Sequence, residues 1–403
     1  MKVFFKTLLL LTIFIPYQGI AQQINDGKWK GIIHYQTVEV PFNFNFENVT
    51  DSSAIVIIKN AEEQIRIENV VIKEDSLFIP MYVFDAVIKA VYKDGKMTGE
   101  WHKNYRKSKG PLFTAEFNQP RFSSALPKSN VSIENTWNIT LTQPDGQTSI
   151  SVGLFSQNKN KVRGSLLTET GDFRFFEGVI YGDSIRLSSF DGVHGFLMLG
   201  SYQNNTWSGV FHYENDYSEK WAATYDAEAK LTEPFSLITV KPNTHKSYYD
   251  ILSAGGDYNA IDRDKLEGKV VIIQLMGTWC PNSLDQSKYL AQWYKKQNHE
   301  ELALIAVTYE PGDKFYAQQR IESYTTQLNI TYPMYIGGSL SKAQAALAFP
   351  NMTKINAFPT LVMIDRQGYI RFIDSYFNGP ATGAYYQEFD KNFNERVEIL
   401  LRE

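Results

Sequence analysis

The sequence predicts a multidomain chain: an N-terminal all-β region, duplicated and barrel- or sandwich-like, followed by a C-terminal α/β unit. Three observations lead there. Short alternating strands broken by Gly, Asn and Asp fill the first half. That half repeats itself at an offset of about 108 residues. Beyond Pro242 the pattern changes to continuous apolar runs separated by helical periods.

The 403 residues are 43% hydrophobic and 21% charged, ordinary for a folded protein and enough chain for two or three domains. A net charge of −4 supplies no basic footprint for nucleic acid. The single cysteine, Cys280, excludes an internal disulfide and any cysteine-rich zinc or iron–sulfur site. The fold must therefore rest on packing.

Residues 1–21 read as a signal peptide. Lys2 and Lys6 precede the apolar run Leu8 to Ile15, and Gly19 and Ala21 are the small residues before a cut. The run is well short of the ~20 residues that cross a bilayer. The expectation is an exported, soluble protein, periplasmic or secreted, with no integral membrane segment after the leader is removed.

Residues 22–232 form the expected β-rich domain. Val40-Pro41-Phe42-Asn43-Phe44-Asn45-Phe46 places three phenylalanines on one face, and further runs cover 54–58, 64–72, 87–92 and 173–181. Asp94-Gly95 marks a hairpin turn. The repeat pairs Trp29 with Trp137, Asp75-Ser76 with Asp183-Ser184, Phe84-Asp85-Ala86 with Phe190-Asp191-Gly192, and the segments ending at His102 and His212. Copies of about 100 residues look short of strands for closing alone, which points to paired halves of one barrel or sandwich. Separate small barrels are the alternative. His102 and His212 read as duplicated strand residues, since no further ligand spacing accompanies them.

A linker is expected over 233–250 and the α/β unit over 251–403. Val270 to Met276 and Leu302 to Thr308 are strands buried on both faces. Helical periods follow at Leu290, Trp293 and Tyr294, at Ala317, Ile321, Tyr324 and Leu328, over Lys342 to Phe349, and at Phe389, Phe393, Val397 and Leu400. Thr360 to Asp365 and Tyr369 to Asp374 make a hairpin through Asp365-Arg366-Gln367-Gly368.

Cys280 sits where a buried strand hands over to a helix N-terminus, the usual place for a site in such sheets. Free N–H groups and the helix dipole favour thiolate there, which predicts a pKa well below the ordinary ~8.5.

The array GKVVIIQLMGTWCPNS, followed by Phe358-Pro359-Thr360 and the Asp365 to Gly368 hairpin, resembles the thioredoxin superfamily. More closely it resembles exported TlpA-like (ResA-like) thiol–disulfide oxidoreductases. The resemblance implies Cys280 as the nucleophilic cysteine, with Trp279 packed beside it and Pro281 following. It implies Pro359 as a cis-proline over the sulfur, with Phe358 and Thr360 flanking it and Phe358 presenting backbone groups to a bound peptide. It also implies protein thiols or disulfides as partners and needs no cofactor. Ser283 stands where that family has its second, resolving cysteine, and Gln286 where it has an acid; Asp285 is adjacent.

A serine hydroxyl cannot resolve a mixed disulfide. A single-cysteine site must wait for an external reductant thiol, which leaves isomerase-type shuffling, deglutathionylation or substrate trapping. The alternative reading is a non-catalytic binding module with a ligand-binding β domain. A thiol peroxidase is disfavoured: the peroxiredoxin pattern wants Thr or Ser three residues before the cysteine and Pro seven before, and here these are Gly277 and Ile273.

Overall fold

The computed structural model describes residues 23–123, 126–238, 261–349 and 352–403. The expected leader and most of the expected linker lie outside the described residues.

The first copy closes on itself. Its strands are β1 (Gly27–His34), β2 (Glu39–Glu47), β3 (Ser53–Asn60), β4 (Glu63–Lys73), β5 (Ser76–Met81), β6 (Ala86–Lys93), β7 (Lys96–Lys103) and β8 (Leu112–Phe117). Each pairs antiparallel with the next, and β8 returns to β1. The alternation in β2 sends Phe42, Phe44 and Phe46 inward, where they meet Trp29 and Phe113, all fully buried.

The second copy also closes. Its strands are β9 (Asn135–Thr142), β10 (Thr148–Asn158), β11 (Lys161–Thr168), β12 (Gly171–Asp172), β13 (Phe176–Tyr181), β14 (Ser184–Phe190), β15 (Gly195–Gln203), β16 (Thr206–Glu214) and β17 (Tyr217–Tyr225). β17 pairs with β9, and β10 bridges β9 to β11, so eight strands complete a ring with the short β12 appended. The paired-halves expectation is thus replaced by two separate barrels. About eight strands suffice because large side chains alone fill a ring of that size. Here Trp207, Trp221, Phe176 and Phe211 do so in the second barrel.

The barrels share a seam. Phe190 of β14 packs on Phe42 in a tilted pair at 4.3 Å between ring centroids and meets Trp101 edge-on at 5.2 Å. The Trp101 indole donates to Gly192 O at 3.1 Å, and the Tyr35 hydroxyl donates to Gly195 O at 2.9 Å.

One β-run differs from its sequence reading. Residues 173–175 are not strand, and β13 starts only at Phe176. Arg174 takes a left-handed φ of 59°, and its amide donates to Asp172 Oδ1 at 2.7 Å. Local side-chain bonding of this kind competes with the ladder and breaks it.

The third sheet has the order β20-β19-β18-β21-β22. It comprises β18 (Val270–Met276), β19 (Leu302–Glu310), β20 (Met334–Ser339), β21 (Thr360–Ile364) and β22 (Ile370–Asp374), with β18, β19 and β20 parallel and β21 and β22 antiparallel. The sequence reading missed β20, whose Met-Tyr-Ile-Gly-Gly-Ser lacks an apolar run because it is a glycine-broken edge strand. Helices α1 (Pro281–Tyr294), α2 (Lys314–Leu328), α3 (Lys342–Ala348) and α4 (Ala384–Arg402) cover the sheet. In β18, Val271, Ile273 and Leu275 face one core, and Val270, Ile272 and Met276 face the other. That explains the unbroken apolar run.

Repeat-equivalent segments of the two barrels meet this unit. Phe84 and Val193 both enter its core beside Leu284 and Leu290, and Arg320 donates to Val83 O.

Candidate active site

β18 ends at Met276, and the loop that follows is fixed from below. The Thr278 amide and hydroxyl both donate to the buried Glu310 carboxylate, at 2.8 and 2.7 Å. The Trp279 indole donates to Tyr309 O at 2.8 Å. Gly277 is required here, since a Cβ would lie 2.2 Å from the Trp279 indole nitrogen. Cys280 is then the N-cap of α1, with Pro281 at the first helical position, where its missing N–H loses nothing.

The thiol donates to Phe358 O at 3.3 Å, and the Phe358–Pro359 peptide bond is cis. Phe358 in turn meets Trp279 edge-on at 6.3 Å and stacks on Tyr309 at 5.2 Å. The structure therefore brings together Cys280, Trp279, Phe358 and Pro359 from sequence positions some eighty residues apart. Ser283 is fully buried, with its hydroxyl close to the Cys280 sulfur but outside normal hydrogen-bond geometry among the described residues. Thr360 lies behind the site, its hydroxyl donating to Ala357 O at 2.8 Å.

The expected depression of the thiol pKa is not what the site produces. Burial raises the Cys280 pKa. The amide and hydroxyl of Ser283, the Asn282 amide and the positive charge of Arg174 all pull it down, and they do not overcome desolvation. The helix-start reasoning was sound in sign but omitted burial: Cys280 is only 9% exposed.

What exposure remains opens on a cleft of about 440 Å³. Trp279, Cys280, Pro281 and Asn282 form one wall, and the second barrel forms the others. The sequence reading missed that barrel's contribution. Arg174 donates through Nη1 to Pro281 O at 3.1 Å and to Asp285, and through Nη2 to Glu63 of the first barrel. Asp172 Oδ2 accepts from the Gly379 amide at 2.7 Å, and burial pushes the Asp172 carboxyl up to about 6. One short segment thus ties three units around the thiol. No feature of the sequence alone marked it, apart from the Gly171-Asp172 turn signal. No group of three or more His, Cys, Asp or Glu suited to a metal ion occurs among the described residues.

Residues 246–373 match the model of the AhpC/TSA family. No curated protein matches the chain. Among solved structures, a thiol-disulfide isomerase from Corynebacterium glutamicum is 14% identical, covers 36% of this chain and 88% of its own, and has a TM-score of 0.28. A secreted Mycobacterium tuberculosis disulfide oxidoreductase homologous to E. coli DsbE is 15% identical, covers 35% and 88%, and has a TM-score of 0.26. A thioredoxin-related protein from Neisseria meningitidis serogroup B is 16% identical, covers 37% and 96%, and has a TM-score of 0.28. The C-terminal unit is a thioredoxin-like α/β domain behind a large β-rich region. Among the described residues no helix is long and apolar enough to cross a membrane.

Proposed function

We propose that this protein carries out thiol–disulfide exchange with Cys280 as its single nucleophile. The observation that carries the reading is the Cys280 thiol at the N-cap of α1, bonded to the carbonyl before cis-Pro359 and lining an open cleft. The Cys280 thiolate attacks one sulfur of a disulfide. A new S–S bond forms to Cys280, the old one breaks, and the departing thiolate keeps the electron pair and takes a proton from solvent. Ser283 offers no second sulfur, so a thiol from outside attacks the mixed disulfide and returns Cys280. The net reaction exchanges partners and leaves the protein unchanged.

Raised burial and modest thiolate stabilisation make this a slow site at neutral pH. The thiolate that does form is correspondingly more nucleophilic, because nucleophilicity falls as pKa falls. Trp279 and Phe358 hold the sulfur in place, and Arg174 supplies a nearby positive charge. The chain is read as exported by a leader at 1–21, with a β region at 22–232 joined through 233–250 to the redox domain at 251–403.

The test is a mixed-disulfide assay on the full chain. Incubation with a small disulfide should add one half-molecule to Cys280, seen by mass spectrometry, and excess thiol should remove it. The Cys280→Ser chain should show neither event. An absent adduct on the native chain at alkaline pH refutes the reading.

A further inference from the structure

The cleft over Cys280 is built mainly by a part of the chain with no counterpart in the redox domain itself. The segment from Thr168 to Arg174 crosses the site and is fastened to each loop around it. Asn356, two residues before Phe358, donates to Glu169 O at 2.6 Å. Gly171 packs so closely on Asn282 that a Cβ there would come within 1.9 Å of its amide nitrogen. Asp172 holds the Gly379 amide, and Arg174 holds Pro281 and Asp285. Glu169 thus already engages the Asn356 side chain, on the loop along which an extended peptide would approach the sulfur. What remains is a space of about 440 Å³, within the ~300–1,000 Å³ typical of small-ligand pockets.

The lining also has a sign. Phe173, Phe196, Tyr213 and Tyr217 give it aromatic walls. Asp172, Asp191, Glu214 and Asp216 line it against one guanidinium, Arg174, and His194. Arg174 is itself committed to Glu63 and Asp285. Glu214 is shared with Arg106 and Lys103, and Asp191 with His194 at 3.2 Å. Asp216 stands exposed at the mouth with no ion pair among the described residues. The Nε of Arg174, a residue 5% exposed, has no partner among the described residues.

We propose that the second barrel restricts Cys280 to small thiols and disulfides that carry a positive charge, of the amino-disulfide class, and shuts out the disulfides of folded proteins. This rests on the exchange chemistry proposed above and narrows the partner class that the family resemblance implies. Size decides admission, because the fastened segment leaves a space of only about 440 Å³ over the thiol. Charge decides preference, because an acidic cleft with low-dielectric walls concentrates cations. The reaction itself is unchanged: RS–SR and Cys280 thiolate give the Cys280–S–SR adduct and RS⁻, and a second thiol R′SH gives RS–SR′ and regenerates Cys280.

The experiment measures adduct formation on the full chain with cystamine (cationic), dithiodiglycolate (anionic) and insulin (a folded protein disulfide). Each rate is divided by that of free glutathione thiol at the same pH, so that intrinsic disulfide reactivity cancels. The expected order has cystamine at least tenfold above dithiodiglycolate at low salt, the ratio shrinking as salt rises. Insulin should fall at least a hundredfold below cystamine. The Asp216→Lys variant changes an exposed residue and keeps the fold; it should cut the cystamine preference severalfold. Insulin reacting in the same proportion as with glutathione, or dithiodiglycolate preferred over cystamine, overturns the proposal while leaving the exchange chemistry standing. No adduct with any of the three removes that chemistry as well.

Discussion

Arg174→Met removes one charge and exposes how the three units are held. The guanidinium bridges Glu63 and Asp285, and the three side chains are 6%, 8% and 9% exposed. Taking away the cation leaves two buried carboxylates facing each other across an apolar thioether. Breaking a buried pair in this way costs about 3–5 kcal/mol, a large part of the ~5–15 kcal/mol that holds a domain. The measurement is urea unfolding followed by tryptophan fluorescence at neutral and acid pH. The loss should be full at neutral pH and smaller at acid pH, where the stranded carboxylates take up protons. The companion chain Arg174→Met/Glu63→Gln/Asp285→Asn removes the charges together and should recover most of the loss, since replacing a whole buried set is far milder than splitting it. A single variant within ~0.5 kcal/mol of the native chain, or a triple variant no better than the single, refutes the view that this cluster clamps the barrels to the C-terminal α/β domain. The same single variant should also alkylate more slowly at Cys280, because the cation favours the thiolate.

Three further outcomes are expected. The rate of iodoacetamide alkylation at Cys280 should inflect above the ordinary thiol value of ~8.5, because burial outweighs the helix terminus; an inflection near neutrality would contradict the burial argument. Ser283→Cys should let Cys280 form an internal disulfide under mild oxidation, with both thiols lost and no dimer on a non-reducing gel, since position 283 lies one helical turn from the N-cap; persistence of two free thiols would place the side chains out of reach. Asp172 has its folded-state pKa raised from 3.8 to about 6, so the folded protein binds that proton more tightly. Its contribution favours folding below pH 3.8 and is lost as pH climbs through 6, a change of ~3 kcal/mol. Asp172→Asn should flatten that slope, and native and variant urea midpoints that fall in parallel between those pH values would exclude the effect.

The short linear signals were readable before any coordinates. Cys280 follows a buried strand and opens a helix, and Pro359 precedes another strand; each depends on a few neighbouring residues. Alternation likewise placed Phe42, Phe44 and Phe46 inside. Closure of each copy was not readable, because it depends on the pairing of β8 with β1 and of β17 with β9. Such pairing is settled between distant residues. The same limit hid Arg174. Its run of alternating residues reads as one strand through Tyr181, and only a left-handed residue in the middle sends the side chain across to Pro281 and Asp285. The thiol pKa went astray for a related reason: a helix terminus can be seen in a sequence, and the weight of packing above it cannot.

The two rings have a consequence for how this chain meets other chains. A sheet that joins its own ends leaves no row of unpaired backbone amides along a side. Among the described strands, free margins remain mainly at β20 and β22, the outer members of the third sheet, and at the two-residue β12. Backbone-to-backbone stitching, the route by which flat β-proteins polymerise, therefore has little to grip on the barrels. Whatever associates with them must do so through side chains and loop tips, which leaves their outer surfaces free to diversify without inviting fibres.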